Sequence, residues 1–315
     1  MPRLHVLAGR RYSPWAPEAD GVGGAAPGAL RAELLRVLVA ALGGDALAAE
    51  YVLLQLLSRV HARHDPVVLG RHALNLTRCA AGPDGAPSPV ATALRDAFAA
   101  LTPQSRLVGL TLDFLNDGDL VPRKDYDINR MLPGFLQMAE GTAVVVDETA
   151  LAAGKLEESG VRNFGRLKAA VAEQRYDADF KFYQMPMPCD LPVTVVSEGR
   201  TVLHADTHVP LQATAAASRD LLAGMAEPER RALRAYLARA RALEHAIDAE
   251  VSERVQADLV RRRQADASLT EADFNRWLTL ARLLAASKGE ASLTWATWGE
   301  VHELERRREA RVRVC

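Results

Sequence analysis

The run from Gly141 to Thr149 constrains this chain most. Val144, Val145 and Val146 are consecutive β-branched residues, which favour extended backbone. A short run that is apolar at every position belongs to a strand covered on both faces, the habit of parallel sheets. The run ends in Asp147 and Glu148. In open α/β sheets ligands sit beyond the carboxyl ends of strands, and in nucleotide-hydrolysing P-loop proteins an aspartate at such a place holds magnesium. The run therefore has the form of a Walker-B-like strand and asks for a phosphate loop upstream. An ordinary buried strand with a polar turn has the same pattern, so the chemistry depends on the rest of the chain.

Around this strand the pattern alternates. A Gly/Ala/Pro-rich lead-in covers residues 1–28. Apolar residues at helical spacing follow from Leu30 to Leu42, stopped by Gly43 and Gly44. Asp45 can cap a second helix, reaching about His61, that is apolar nearly all round, as a buried helix is. Asp65 and Pro66 break the pattern. Short strands are expected at Val67–Leu69, Leu74–Thr77, Leu107–Leu112, Phe180–Tyr183 and Val193–Val196, with helices from Pro89 to about Leu101 and from Val161 to Gln174. Leu120 to Met138 reads as mixed loop and helix. That order predicts a doubly wound α/β domain with a mostly parallel sheet over residues 29–212. After Gln212 no strand pattern remains. Thr270 with Asp273 has the form of a capping box, Leu293, Thr294 and Trp298 repeat a cap with a staple, and residues 213–315 read as an all-helical domain.

Composition narrows the class. Of 315 residues 49% are apolar and 25% charged, the globular range, and a formal net charge of −1 gives no strong field for nucleic acid or anionic membrane. No apolar run approaches the roughly 20 residues of a membrane span, and no signal-peptide core is present at the N-terminus. Three scattered cysteines, Cys79, Cys189 and Cys315, have no metal spacing and suit a reducing compartment. A soluble intracellular protein is expected.

The upstream segment placed to be a phosphate loop is Gly44 to Tyr51, which opens a long helix. A working loop needs a second glycine, a lysine and a hydroxyl residue at the end. Here Glu50 stands at the lysine position and Tyr51 at the hydroxyl position. A carboxylate facing triphosphate oxygens costs several kcal/mol at an effective dielectric of about 20. Competent ATP hydrolysis is not expected, and no cofactor or catalytic residue is assigned. His204, Asp206 and His208 could bind a metal, but incidental histidines on a loop are the favoured explanation, and no metal site is assigned. Asp147 and Glu148 as an acid–base pair suffer from facing opposite ways on a strand. The five arginines between Arg306 and Arg313 could meet phosphates, or could be a solvated helix end favoured by the macrodipole. Lys124, Asp125, Tyr126, Asn129 and Arg130 form a dense polar cluster that is either a partner-binding surface or an internal network.

Several stretches carry a resemblance. Val121 to Arg130, Val144 to Thr149, Tyr176 to Phe180 and Ser197 to Arg200 resemble the mini-chromosome maintenance complex-binding proteins. So do Gly44 to Tyr51 with the leucine-rich helix behind them, and Ala281 to Leu284. The likeness runs from about Gly28 to Arg311 and covers only the C-terminal half of the usual family member, so the chain is expected to be a shortened form. It implies a nuclear protein that binds subunits of the replicative helicase, with roles in assembling, protecting or unloading that helicase and in sister-chromatid cohesion. Those subunits are AAA-type ATPases whose phosphate loop begins Gly-Asp-Pro and continues to Ala-Lys-Ser. Gly44, Asp45 and Ala49 are similar to it, and Ala139 to Gly141 leading into Asp147 and Glu148 looks like their Walker B approach.

The reading is a degenerate AAA-like α/β domain followed by a lid-like helical domain, acting as a non-catalytic binder of helicase subunits. An atypical NTPase using Asp147 and Glu148 is the alternative, disfavoured by Glu50. A DNA-binding module built on the basic C-terminus is disfavoured by the near-zero charge.

Overall fold

The computed structural model describes Trp15, residues 26–64 and residues 67–313. Most of the lead-in expected over residues 1–28, the break at Asp65 and Pro66, and Cys315 lie outside the described residues. Helix α1 (Pro27–Ala41) begins on its proline, and the turn at Gly43 and Gly44 leads into α2 (Ala46–Leu57). Asp45 caps α2: its carboxylate accepts the N–H groups of Leu47 and Ala48, both at 3.0 Å. Ten of the twelve α2 residues are buried, as an all-round apolar helix requires.

A small antiparallel pair, β1 (Ala62–His64) and β2 (Val67–Leu69), follows. Then come β3 (Leu74–Thr77), α3 (Pro89–Leu101), β4 (Ser105–Gly109) and α4 (Leu112–Asp117). The strand expected to reach Leu112 stops at Gly109, because Thr111 caps α4 by accepting the Phe114 N–H at 3.1 Å. The mixed loop and helix expected over Leu120–Met138 is instead a hairpin, β5 (Arg123–Asp125) and β6 (Arg130–Leu132). Next are β7 (Ala143–Asp147), α5 (Glu158–Ala172), β8 (Arg175–Asp179), β9 (Gln184–Pro188), β10 (Val193–Val196) and β11 (Thr207–Pro210). The strand expected over Phe180–Tyr183 is the turn between β8 and β9, with Lys181 at a φ of 64°.

Five strands form the main sheet in the order β11-β3-β10-β7-β4, every neighbouring pair parallel. The valine strand β7 lies inside it, buried at all five residues between β10 and β4. Its side chains alternate between two cores, Val145 toward one face and Val144 and Val146 toward the other. A second sheet of four strands, β6-β5-β8-β9, joins the two hairpins through a parallel contact of β5 with β8.

The remaining elements are helical: α6 (Asp220–Gly224), α7 (Glu227–Ala242), α8 (Ala249–Ala265), α9 (Glu271–Lys288) and α10 (Trp295–Arg313). The capping box of Thr270 and Asp273 opens α9. Leu237, Leu280, Leu284 and Val301 from these helices lie in one core with Leu47, Leu53 and Leu54 of α2. The segment after Gln212 is strapped over the α1–α2 turn, with Thr214 and Ala215 N–H groups donating to the Gly43 carbonyl at 2.8 and 2.9 Å. Among the described residues no single helix is long and apolar enough to cross a membrane. Helices α1 and α2 pass that test only as a pair bent by 117°.

Buried polar contacts join α2 to the C-terminal helices. The Tyr51 hydroxyl donates to Glu305 at 2.5 Å, and Glu305 also takes Arg308 Nε at 2.8 Å and Arg276 Nε at 3.0 Å. Burial would raise the Glu305 carboxyl. The bonds and charges of Arg308 and Arg276, with the Tyr51 hydroxyl, overcome this and hold it at about 2. Because the folded value is depressed from 4.5, the contribution is present above that pH and is lost as pH falls through about 2. Glu305→Gln leaves two guanidinium groups without their carboxylate, and urea unfolding at neutral pH should show a loss of about 3–5 kcal/mol. The variant should also lose less stability than the parent between about pH 5 and pH 2.

Candidate functional site

The carboxyl edge of the main sheet is where the sequence places chemistry. Asp147 ends β7 and is fully buried. One carboxylate oxygen accepts the Ser88 N–H at 2.7 Å, at the start of α3, and the other accepts the Thr149 N–H at 3.1 Å and its hydroxyl at 2.6 Å. Glu148 accepts the Val202 N–H at 3.0 Å and the Thr201 hydroxyl, while burial pushes its carboxyl up against those donors. Both carboxylates are therefore engaged by the chain itself, and neither is presented as a free base or magnesium ligand.

A phosphate loop joins a strand to a helix. The segment Gly44 to Tyr51 does not: it follows α1, not a strand. Its residues do structural work. Besides capping α2, Asp45 takes Arg311 at 2.6 Å and the Gln212 N–H at 2.8 Å, and these donors hold its carboxyl low against burial. Ala49 is fully buried, Glu50 pairs with Arg31 at 2.6 Å, and Tyr51 holds Glu305. The location of the phosphate loop expected from the sequence is thus corrected. The strand-to-helix connection beside Asp147 runs from Arg78 to Ser88, between β3 and α3.

That connection contains no lysine, and its charged members are Arg78 and Asp84. Arg78 and Cys79 N–H groups donate to the Glu198 and Ser197 carbonyls at 2.8 and 3.0 Å, so the chain stays paired with the segment after β10. Gly82 packs so closely that a Cβ there would lie 2.2 Å from the Ala86 carbonyl oxygen. The loop folds closely on itself at Gly82. The Ser88 hydroxyl is buried and makes no hydrogen bond in the structure. Among the described residues no group of three or more His, Cys, Asp or Glu could hold a metal ion. His204 pairs with Asp206 at 3.1 Å, and Asp206 with Arg71 at 2.8 Å.

The polar cluster on the β5–β6 hairpin has a different character. Asp125 accepts the N–H groups of Asp127 and Ile128 at 2.9 and 3.1 Å and so shapes the turn. Lys124 Nζ donates to Asn129 Oδ1 at 2.7 Å, and Asn129 takes a φ of 53°, which asparagine tolerates. The Tyr126 hydroxyl donates to the Phe180 carbonyl at 3.0 Å, tying this hairpin to the β8–β9 turn. Arg130 is exposed with no side-chain partner among the described residues. Lys124, Asp125, Tyr126 and Asn129 thus scaffold the hairpins, and Arg130 faces solvent.

What this scaffold presents is an apolar surface. Phe182 is 78% exposed, Tyr183 55%, Ile128 54% and Tyr126 46%, and Met131, Met185 and Met187 of the same four-stranded sheet are exposed as well. The rings are ordered among themselves: Tyr126 meets Phe182 edge-on at 5.6 Å, and Phe180 stacks on Tyr183 at 4.9 Å. Lys124 and Lys181 lie 5.9 and 5.8 Å over Tyr126 and Phe182. The edge strand β9 alternates methionine with Pro186 and Pro188, which have no N–H to offer a further strand. At the β9 edge the sheet therefore offers side chains and no proline N–H. Sequence reading missed Phe182, Tyr183, Met185 and Met187. The alternating prolines were the available sign that this stretch is an exposed edge.

The comparisons with known proteins agree over nearly all of the chain. A family described as mini-chromosome maintenance replisome factor matches residues 1–312. Proteins called mini-chromosome maintenance complex-binding protein are similar to it. The one from Arabidopsis thaliana is 38% identical over 90% of this chain and 47% of its own length. Those from Salmo salar and Homo sapiens are 37% and 35% identical, covering 99% and 90% of this chain and 52% and 44% of their own. The chain thus spans about half the length of these relatives. A family match along almost every described element, from α1 to the arginine-rich end of α10, leads to one conclusion: the chain belongs to the mini-chromosome maintenance replisome factor family.

Proposed function

We propose that this chain is a non-catalytic binding protein for subunits of the replicative mini-chromosome maintenance helicase, and that it meets them through the four-stranded hairpin sheet. The observation that carries the reading is the exposed group of Tyr126, Phe182 and Tyr183. Aromatic residues, methionine and arginine are the types enriched at interfaces, and a contiguous exposed apolar patch marks an interaction site. Relatives that cover the chain are named for binding the mini-chromosome maintenance complex. Assembly, protection or unloading of the helicase in the nucleus, and a part in cohesion, belong to the same proposal.

The main sheet supports an AAA-like reading of the body. Its strands run fifth, first, fourth, third, second in chain order, and the strand that leads into α3 is separated by one strand from the strand ending in Asp147. In this proposal residues 29–212 are a degenerate ATPase body and the helices after 212 its lid. Subunits of that kind pack head to tail in rings. A relative that keeps the shape without the chemistry has a route to a place beside an active subunit. Direct DNA binding is not part of the reading, since the chain carries a net charge of −1.

Two outcomes test this. Millimolar magnesium-ATP should neither raise the melting temperature nor give binding heat, because Asp147 is engaged by Ser88 and the Arg78–Ser88 connection has no lysine. A micromolar dissociation constant would overturn the dead-site reading. In pull-downs with purified helicase subunits, Phe182→Ser with Tyr183→Ser should weaken capture about tenfold or more. The melting temperature should stay close to the parent's, since both residues are exposed. Lys124→Glu with Arg130→Glu should weaken capture too, with a stability cost of about 1 kcal/mol for the lost Lys124–Asn129 bond. Parent-like capture by both double variants would move the interface elsewhere.

A further inference from the structure

Ahead of residue 26 the structure describes Trp15 alone, and that side chain is buried in the core that holds α2. Three observations fix its place. The indole N–H donates to the Gly141 carbonyl at 3.0 Å. The Arg241 guanidinium of α7 lies 4.9 Å from the ring centroid, within the range of a cation–π contact. Gly141 takes a φ of 78°, and a Cβ added there would fall 2.2 Å from the indole Nε1 and 3.4 Å from Arg241 Nη2. Ring, guanidinium and glycine therefore converge on one spot, just ahead of β7. Glycine is needed there twice, by its backbone angle and by the room the indole takes.

The walls of this site are held without the ring. The Gly141 N–H donates to the Asp190 carbonyl at 2.6 Å, and the N–H of Ala143, the first residue of β7, donates to the Gln104 carbonyl at 3.0 Å. Arg241 is buried, donates to the Leu56 carbonyl at 3.2 Å and to that of Ser58, and pairs with Asp190 at 2.7 Å. The Asp190 carboxylate also takes the Val60 N–H at 3.0 Å. None of these bonds passes through Trp15. A guanidinium already met by a carboxylate and two carbonyls keeps its place when an aromatic neighbour leaves. The indole thus meets a fixed acceptor at its edge and a fixed cation at its face.

We propose that Gly141 and Arg241 form an indole-binding socket, filled by Trp15 of the same chain, which fastens the start of the chain to the seam between the main sheet and the C-terminal helices. The recognition is for tryptophan. Its side chain combines a large aromatic face for the cation with a ring N–H for the carbonyl, whereas phenylalanine brings the face without the donor. Arg241 also closes the last carbonyls of α2, where a cation is favoured, so the filled socket bears on the helix at the centre of the core. The site lies apart from the hairpin sheet and does not rest on the proposed function.

N-acetyltryptophanamide is the probe and N-acetylphenylalaninamide its control. Trp15→Ala should lower the melting temperature of the full chain by about 3–8 °C. N-acetyltryptophanamide at about ten times its dissociation constant should give back about 2–4 °C to that variant. The parent should gain nothing, because its socket is filled, and the phenylalanine analogue should rescue neither chain. Trp15→Phe, which keeps a ring and loses the N–H, should melt below the parent. The proposal fails if the tryptophan probe leaves Trp15→Ala unchanged or stabilises the parent equally. It fails too if the phenylalanine analogue rescues as well, or if Trp15→Phe melts with the parent. Light scattering should give the parent and Trp15→Ala the same mass. A dimer lost in the variant would place a second copy's tryptophan in the socket and overturn the intrachain assignment.

Discussion

Helix α2 has almost no side toward water. The main sheet lies against one flank, α1 against another, and α7, α9 and α10 against the rest, with Leu47, Leu53, Leu54, Leu56 and Leu57 all inside the core. Deleting any one of these leucines would leave a cavity costing about 2–5 kcal/mol. A helix this apolar cannot remain stable until every flank is covered. The C-terminal helices are therefore a structural requirement of the α/β part, and they share its core.

Polar groups set the registration of that packing. Asp45 caps α2 and holds Arg311 and Gln212, while Tyr51 meets Glu305 in a buried group with Arg276 and Arg308. Apolar contact is tolerant of sliding, whereas a buried carboxylate with several donors fits in one place. Asp45, Glu50 and Tyr51, which the sequence alone sets against a phosphate loop, make structural contacts here. At the sheet edge Asp147 likewise ties Ser88 and Thr149. Asp147 and Glu148 thus close the protein on itself.

That sheet is held from behind and open in front. Tyr126 is fixed by its hydroxyl to the Phe180 carbonyl, and the turns are held by Asp125 and by Asp179, which accepts the Lys181 N–H at 2.7 Å. In the proposed role, aromatic faces held in this way would lose little entropy on binding. At the β9 edge Pro186 and Pro188 have no N–H for an added strand.

The local sequence determined what depends on near neighbours. Three valines in a row made β7 a buried parallel strand, Asp45 and Thr270 opened their helices, and the all-round apolar pattern of α2 announced its burial. The tertiary structure decided everything that joins distant residues. No spacing rule shows that the connection beside Asp147 begins at Arg78 and not at Gly44, because strand order is set by crossovers packing across the whole domain. Nor could periodicity separate Phe182 from a buried strand residue: its types are those of a core, and only the turn that carries it outward makes it surface.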